Sequence, residues 1–244
     1  MRTIIVGDVH GCRDELDALL DRVAFASGDR LVFVGDLVAR GPDSLGVLDI
    51  VRETGAIVVR GNHEQKLIEW RNAHVAWAGD VPRPTVKIGS LHRTIARALR
   101  PVDWSLLGST PLSVDLPEHG LRVVHAGLDP NLPFEAQRDA TLMRIRTVRL
   151  ADRPRGERDV LWGTQYSGPP HVVFGHNAAP GLQLHPHATG LDTGCVYGGR
   201  LSAMVLAPRQ KVPRSPAARR NVLVSEPARR MWWRPRLDGG AAAR

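Results

Sequence analysis

Three stretches decide how this chain folds: TIIVGDVHG at residues 3–11, LVFVGDLVARG at 31–41 and AIVVRGNHE at 56–64. Each opens as a short apolar, β-branched run, the composition of a buried strand, and reaches a Gly-Asp or Gly-Asn step. Between them the period changes. Leu16, Leu19, Leu20 and Val23 recur at helical spacing behind acidic residues. Leu45, Leu48 and Val51 do the same between the turn Gly41-Pro42-Asp43-Ser44 and Gly55, which reads as a helix stop. The third run leads into a helix carrying Leu67 and Ile68. Strands that alternate with helices pair in parallel through right-handed crossovers, so the expected class is α/β. The polar ends of such strands lie side by side at the carboxyl edge of the sheet, where α/β folds place their sites.

Further along, Leu112–Leu116, Leu121–His125, Val172–Phe174 and Leu201–Leu206 are strand-like with little helix between the last three, which predicts a second sheet or an antiparallel portion. Residues from Thr85 to Leu107 read as an inserted, polar-faced helical segment overhanging the active face. The composition, 43% hydrophobic and 24% charged, is that of a globular protein and excludes collagen-like repetition or bulk disorder.

The net charge of +8 looks like a nucleic-acid signature until it is located. Residues 209–244 hold ten Lys and Arg against Glu226 and Asp238, whereas residues 1–208 carry 23 charges of each sign. The expected organisation is therefore a neutral catalytic body over 1–208 and a basic, Arg- and Pro-rich extension over 209–244. Within that extension Val222-Leu223-Val224 and Met231-Trp232-Trp233 are apolar enough to dock on the body. Arginines with a Trp pair are also the chemistry of nucleic-acid contact, and RNA binding by this segment is the competing expectation. Cys12 and Cys195 make no disulfide framework and read as packed, reduced thiols. The start of the chain is too soon polar for a signal peptide or a membrane span, so a cytoplasmic location without membrane contact is expected.

The chemistry sits at the strand ends. Asp8, His10, Asp36, Asn62 and His63 should converge, and His125 and His176 also follow apolar runs, each with a glycine beside it. Taken alone, a strand-end Asp is more often a helix cap, and a strand-end His usually bonds backbone carbonyls. Together, carboxylates, a carboxamide and imidazoles form a mixed oxygen and nitrogen donor set. That set suits first-row ions such as manganese, iron, cobalt or zinc better than magnesium or calcium. One shared carboxylate can bridge two ions, which lower the pKa of a bound water and clamp the oxygens of an in-line displacement at phosphorus.

GDVHG at 7–11, GDLVARG at 35–41, GNHE at 61–64, HAG at 125–127 and GH at 175–176 resemble, in order, the motifs of the calcineurin-like metallophosphoesterases. GDLVARGPDSL at 35–45 and LDTGCVYGG at 191–199 are most similar to the symmetrical bis(5′-nucleosyl)-tetraphosphatases and their phosphoprotein-phosphatase-like relatives. The resemblance implies a four-layer α/β/β/α sandwich of two mixed sheets. It implies two divalent ions, manganese first: Asp8 and His10 on one, Asn62, His125 and His176 on the other, and Asp36 between. It implies His63 as the general acid, Arg40 and Asn62 on the substrate phosphate, and Arg144 and Arg146 as further phosphate-binding arginines. Glu64 takes a supporting role. The implied reaction is cleavage of dinucleoside polyphosphates, diadenosine tetraphosphate to two ADP, or of related capped RNA ends. The alternative is a broad phosphomonoesterase or serine/threonine protein phosphatase. Ala39 stands where the protein phosphatases of the family carry an Asp that supports the catalytic His, which favours nucleotide substrates.

Overall fold

The computed structural model describes residues 1–75, 86–150 and 158–234. Thr85, part of the connection between Leu128 and His171, and the last ten residues of the basic segment lie outside the described residues.

The first three runs form β1 (Thr3–Val6), β2 (Arg30–Phe33) and β3 (Ile57–Val58), paired in parallel and joined by α1 (Arg13–Arg22) and α2 (Ser44–Thr54). Asp43 caps α2 by accepting from the Gly46 N–H, and Gly55 ends it in the left-handed conformation. After α3 (Asn62–Val75) come α4 (Ser90–Ala98) and α5 (Pro101–Ser109). The single helical segment expected here is thus two helices. Leu99 and Arg100 are extended, and Pro101, which has no N–H to give, sits where a first helical residue needs none.

The second half builds β4 (Ser113–Leu116), β5 (Leu121–Val124), α6 (Asp139–Arg144), the hairpin β6 (Thr147–Val148) and β7 (Val160–Leu161), β8 (His171–Phe174), β9 (Gln183–Leu184) and β10 (Ala188–Gly190). It closes with β11 (Arg200–Leu206), α7 (Pro216–Arg219) and β12 (Leu223–Pro227). Two five-stranded mixed sheets result, ordered β12-β11-β1-β2-β3 and β4-β5-β8-β10-β9. The run at 201–206 is the antiparallel portion: β11 returns to the first sheet and pairs with β1.

Strand alternation sorts the core into layers. Ile4, Val6, Leu31, Phe33, Leu201 and Ala203 face α1 and α2 in one cluster. Their neighbours Ile5, Val32, Val34, Met204 and Leu206 meet Leu121, Val123 and Val173 of the second sheet between the two. Val124, Val172 and Phe174, on that sheet's outer face, pack against Leu142 of α6 and Trp162. The order is α/β/β/α.

The segment after residue 208 contributes to this architecture. β12 is the edge strand of the first sheet, in register with β11 from Arg200↔Pro227 to Met204↔Leu223. Arg219, fully buried, donates to the carbonyls of Pro213, Arg214, His185, Pro186 and Ala188 and to the Thr189 hydroxyl. Val222 and Leu223 pack between the sheets, and Val224 and Trp232 pack on the helix side. The Trp232 indole donates to Glu15 Oε1 at 2.8 Å. Among the described residues no helix is long and apolar enough to cross a membrane. Both cysteines are free and buried.

Candidate active site

The site occupies the carboxyl ends of strands from both sheets. Asp8 and His10 follow β1, Asp36 follows β2, and Asn62 and His63 open α3 behind β3. From the second sheet, His125 directly follows β5 and His176 lies just past β8. Five of the seven non-glycine residues with positive φ among the described residues are here: His10, Asp36, Ala39, Arg40 and His176. Such conformations cost on the order of 1–3 kcal/mol each and persist where surrounding contacts fix them. Glu64 is one fixing contact. Fully buried, it accepts from the backbone N–H groups of Asp36, Leu37, Val38 and Gly61 at 2.9–3.3 Å, tying the loop after β2 to the start of α3.

Each of the three strand-end histidines is oriented by a backbone carbonyl. His10 Nδ1 lies 3.1 Å from the Val38 carbonyl and His125 Nδ1 lies 2.9 Å from that of Val34, while His176 bonds the carbonyl of Arg144. Donation from Nδ1 leaves the Nε2 lone pair of His10 and His125 aimed into the site. His10 Nε2 is 3.6 Å from Asp36 Oδ2 and His125 Nε2 is 3.5 Å from Asp36 Oδ1. Asn62 Oδ1 lies 3.1 Å from His125 Nε2. Asp8 takes the His176 backbone N–H on both oxygens at 3.1 Å. Asp36 therefore belongs to two compact donor groups, one with His10 and His63 and the other with His125 and His176.

These donors fit divalent cations on three observations. His176 Nε2 is buried without a hydrogen-bond partner, although an imidazole nitrogen in such a place needs one. Asp8, Asp36 and Asp192 are buried together. Burial first, with mutual repulsion, pushes Asp8 well above the usual carboxylate range. Burial likewise raises Asp36 and Asp192 to about 6. Burial lowers the imidazoles of His10, His125 and His176, that of His125 to about 4. Anions crowded beside neutral imidazole donors are the environment a cation stabilises.

A cavity of about 890 Å³ opens over this floor, lined by Asp36, Arg40, Asn62, Arg146, His176 and Asp192 among others. Arg40 Nη1 donates to His10 Nε2 at 2.7 Å, and its guanidinium lies 5.5 Å above the Tyr197 ring. Of the two further arginine candidates, Arg146 borders the cavity. Arg144 lends its backbone to His176, and its exposed side chain is not in the wall. Sequence reading missed two residues. Asp192 sits in the LDTGCVYGG stretch just past β10, where the same strand-end rule would have found it. His92, on α4, touches His63 and had no motif to mark it.

A family model for calcineurin-like phosphoesterases matches residues 1–213. A symmetrical bis(5′-nucleosyl)-tetraphosphatase of Janthinobacterium sp. is 31% identical, across 87% of this chain and 95% of its own length. An asymmetrical bis(5′-nucleosyl)-tetraphosphatase, PrpE, of Oceanobacillus iheyensis is 29% identical across 83% and 88%. A crystal structure provisionally described as a diadenosine tetraphosphatase superposes with a TM-score of 0.76 and 34% identity, covering 93% of each chain. The two-sheet sandwich, the ordered motifs and this match agree: the chain belongs to the calcineurin-like metallophosphoesterases, metal-dependent hydrolases of phosphate esters and anhydrides.

Proposed function

We propose that this chain hydrolyses the phosphoanhydride linkage of dinucleoside polyphosphates, diadenosine tetraphosphate to two ADP first among them, and the chemically equivalent linkage at capped RNA ends. The observation that carries the reading is the shared position of Asp36 between two donor groups on the floor of a cavity with arginine in its wall. Asp8 and His10 would hold one ion and Asn62, His125 and His176 a second, with Asp36 between. Manganese suits this donor set, as do iron, cobalt and zinc. When bound, such ions supply charge neutralisation at phosphorus and an acidified water.

The chain's own groups do the rest. Arg40 and Arg146 bind phosphate oxygens with planar guanidinium forks. Asn62 orients the attacked phosphate from the start of α3. His63 protonates the departing oxygen, a step worth on the order of 10²–10⁴ in rate. A cavity of about 890 Å³ is large enough for a nucleotide rather than for inorganic phosphate alone. Nucleotide substrates of this class point to the cytoplasm.

The test is chromatography of diadenosine tetraphosphate after incubation with metal-stripped protein restored with Mn²⁺, beside p-nitrophenyl phosphate, a phosphopeptide and an Asp36→Asn variant. Two ADP, abolished in the variant, is the expected result. ATP with AMP would keep the linkage class but move the attack to an outer phosphorus, and faster turnover of the phosphopeptide would overturn the substrate assignment.

A further inference from the structure

α4 lies outside all the strand-end motifs, yet it delivers one side chain to the site. His92 is buried, and its Nε2 lies 3.0 Å from His63 Nδ1. The ring centroids are 4.9 Å apart and the planes 28° apart, so the two nitrogens meet edge to edge. On its other side His63 meets His10 edge-on at 4.9 Å, and its backbone N–H is held by Asp36 Oδ1 at 2.9 Å. The His63 ring is thus fixed from three directions, and only one of them is a hydrogen bond to a ring nitrogen. That bond engages Nδ1, so the Nε2 edge is the one a substrate can meet. Ala39, on the loop after β2, supplies no side-chain acceptor to this ring.

We infer that His92 is the positioning residue for His63, holding its tautomer and ring orientation so that the Nε2 proton is directed at the leaving oxygen. The proton inventory closes. Protonated His63 donates Nδ1–H to the lone pair on His92 Nε2, and His92 keeps its own proton on Nδ1. Transfer of the His63 Nε2 proton to the leaving oxygen, as the P–O bond breaks, leaves His63 neutral with the Nδ1–H bond to His92 intact. A neutral imidazole acceptor orients the acid without adding negative charge beside Asp8, Asp36 and Asp192, which already crowd the site. It also links the acid to α4, a helix that neither sheet contains.

This inference rests on the reading of His63 as the general acid, and the experiment separates the two. Initial rates are measured for the parent, His63→Ala, His92→Ala, His92→Gln and the His63→Ala/His92→Ala double variant. The substrates are diadenosine tetraphosphate and a series of aryl phosphates of increasing leaving-group basicity, all with Mn²⁺. Loss of an acid penalises poor leaving groups most. His63→Ala should therefore steepen the leaving-group dependence. His92→Ala should steepen it in the same sense, with kcat on diadenosine tetraphosphate down about 10- to 100-fold and KM within threefold. His92→Gln, whose amide can reach the position of Nε2, should recover to within about threefold of the parent. In the His63→Ala background, loss of His92 should cost nothing further.

A uniform loss across leaving groups, equal damage from Ala and Gln, or full additivity in the double variant would reduce His92 to a packing residue and leave the acid assignment standing. If His63→Ala itself leaves the leaving-group dependence unchanged, the acid assignment fails and the inference falls with it. The double-variant comparison on diadenosine tetraphosphate decides the matter even where aryl phosphates turn over too slowly to rank.

Discussion

Gly175→Ala adds one methyl group and should disable the site. An ideal Cβ on Gly175 would lie 1.9 Å from Asp8 Oδ1 and 2.6 Å from Val34 Cγ2, whereas ordinary contacts begin at 3.4 Å. The backbone at 175 needs no left-handed conformation, so the whole effect comes from space. To restore contact distance, the Asp8 carboxylate must retreat by about 1.5 Å from a place where the His176 N–H holds both its oxygens. A displacement of about 1 Å at a reacting centre costs on the order of 10² in rate. The expected kcat on diadenosine tetraphosphate is therefore at least about 100-fold below the parent. Overpacking should lower stability by only about 1–3 kcal/mol, which leaves the protein folded at 25 °C. Activity is followed by chromatography with Mn²⁺ present, and stability by urea titration on the same preparations. Gly108→Ala is the control: it lies within α5, nothing approaches its Cβ within 4 Å, and the change should stabilise by up to about 1 kcal/mol without altering kcat. A Gly175→Ala enzyme within threefold of the parent would refute the reasoning, because Asp8 would then be free to move or irrelevant to the chemistry.

Arg219→Lys should destabilise by at least about 2 kcal/mol in urea, since an ammonium has three donors for the six acceptors the guanidinium serves; a loss below about 0.5 kcal/mol would show that those carbonyls find other donors. Burial, with Arg219 and His187 nearby, holds His171 down at about 3. The unfolded chain therefore takes up a proton below about pH 6.5 that the folded chain does not. That stability is complete above pH 6.5 and is lost as pH falls toward 3, at up to about 1.4 kcal/mol per pH unit. His171→Gln should accordingly narrow the gap between urea midpoints at pH 7 and pH 4.5, and an unchanged gap would contradict it.

The legible part of this fold was local. Short apolar runs ending in Gly-Asp or Gly-Asn report burial and a sharp turn through the residues themselves, so β1, β2 and β3 and the clustering of Asp8, Asp36 and Asn62 could be read directly. What was hidden depends on distant partners. Leu223–Pro227 has no strong strand pattern, because an edge strand needs only a neighbour, and β11 provides one. Arg219 belongs to a basic stretch whose other described arginines face solvent, and nothing in its spelling marks it as the buried one. His92 is one His on an amphipathic helix, and its partner is set by how α4 packs on α3. Asp192 is the exception, since its strand-end position was visible.

The placement of β1 also governs when the molecule can come into being. The N-terminal strand is the middle of its sheet, and the partner on one side, β11, spans Arg200–Leu206. During synthesis Thr3–Val6 must therefore wait until Arg200–Leu206 has been made before Leu206 can pair with Thr3, and β12 adds its edge later still. Pairing across so long a separation is slow, because loop closure precedes the reward. Asp8 and His10 follow this strand, so a nascent chain carries both residues long before the sheet that positions them is complete. The sheet's central seam, rather than any helix, is where a chaperone would have most to shield.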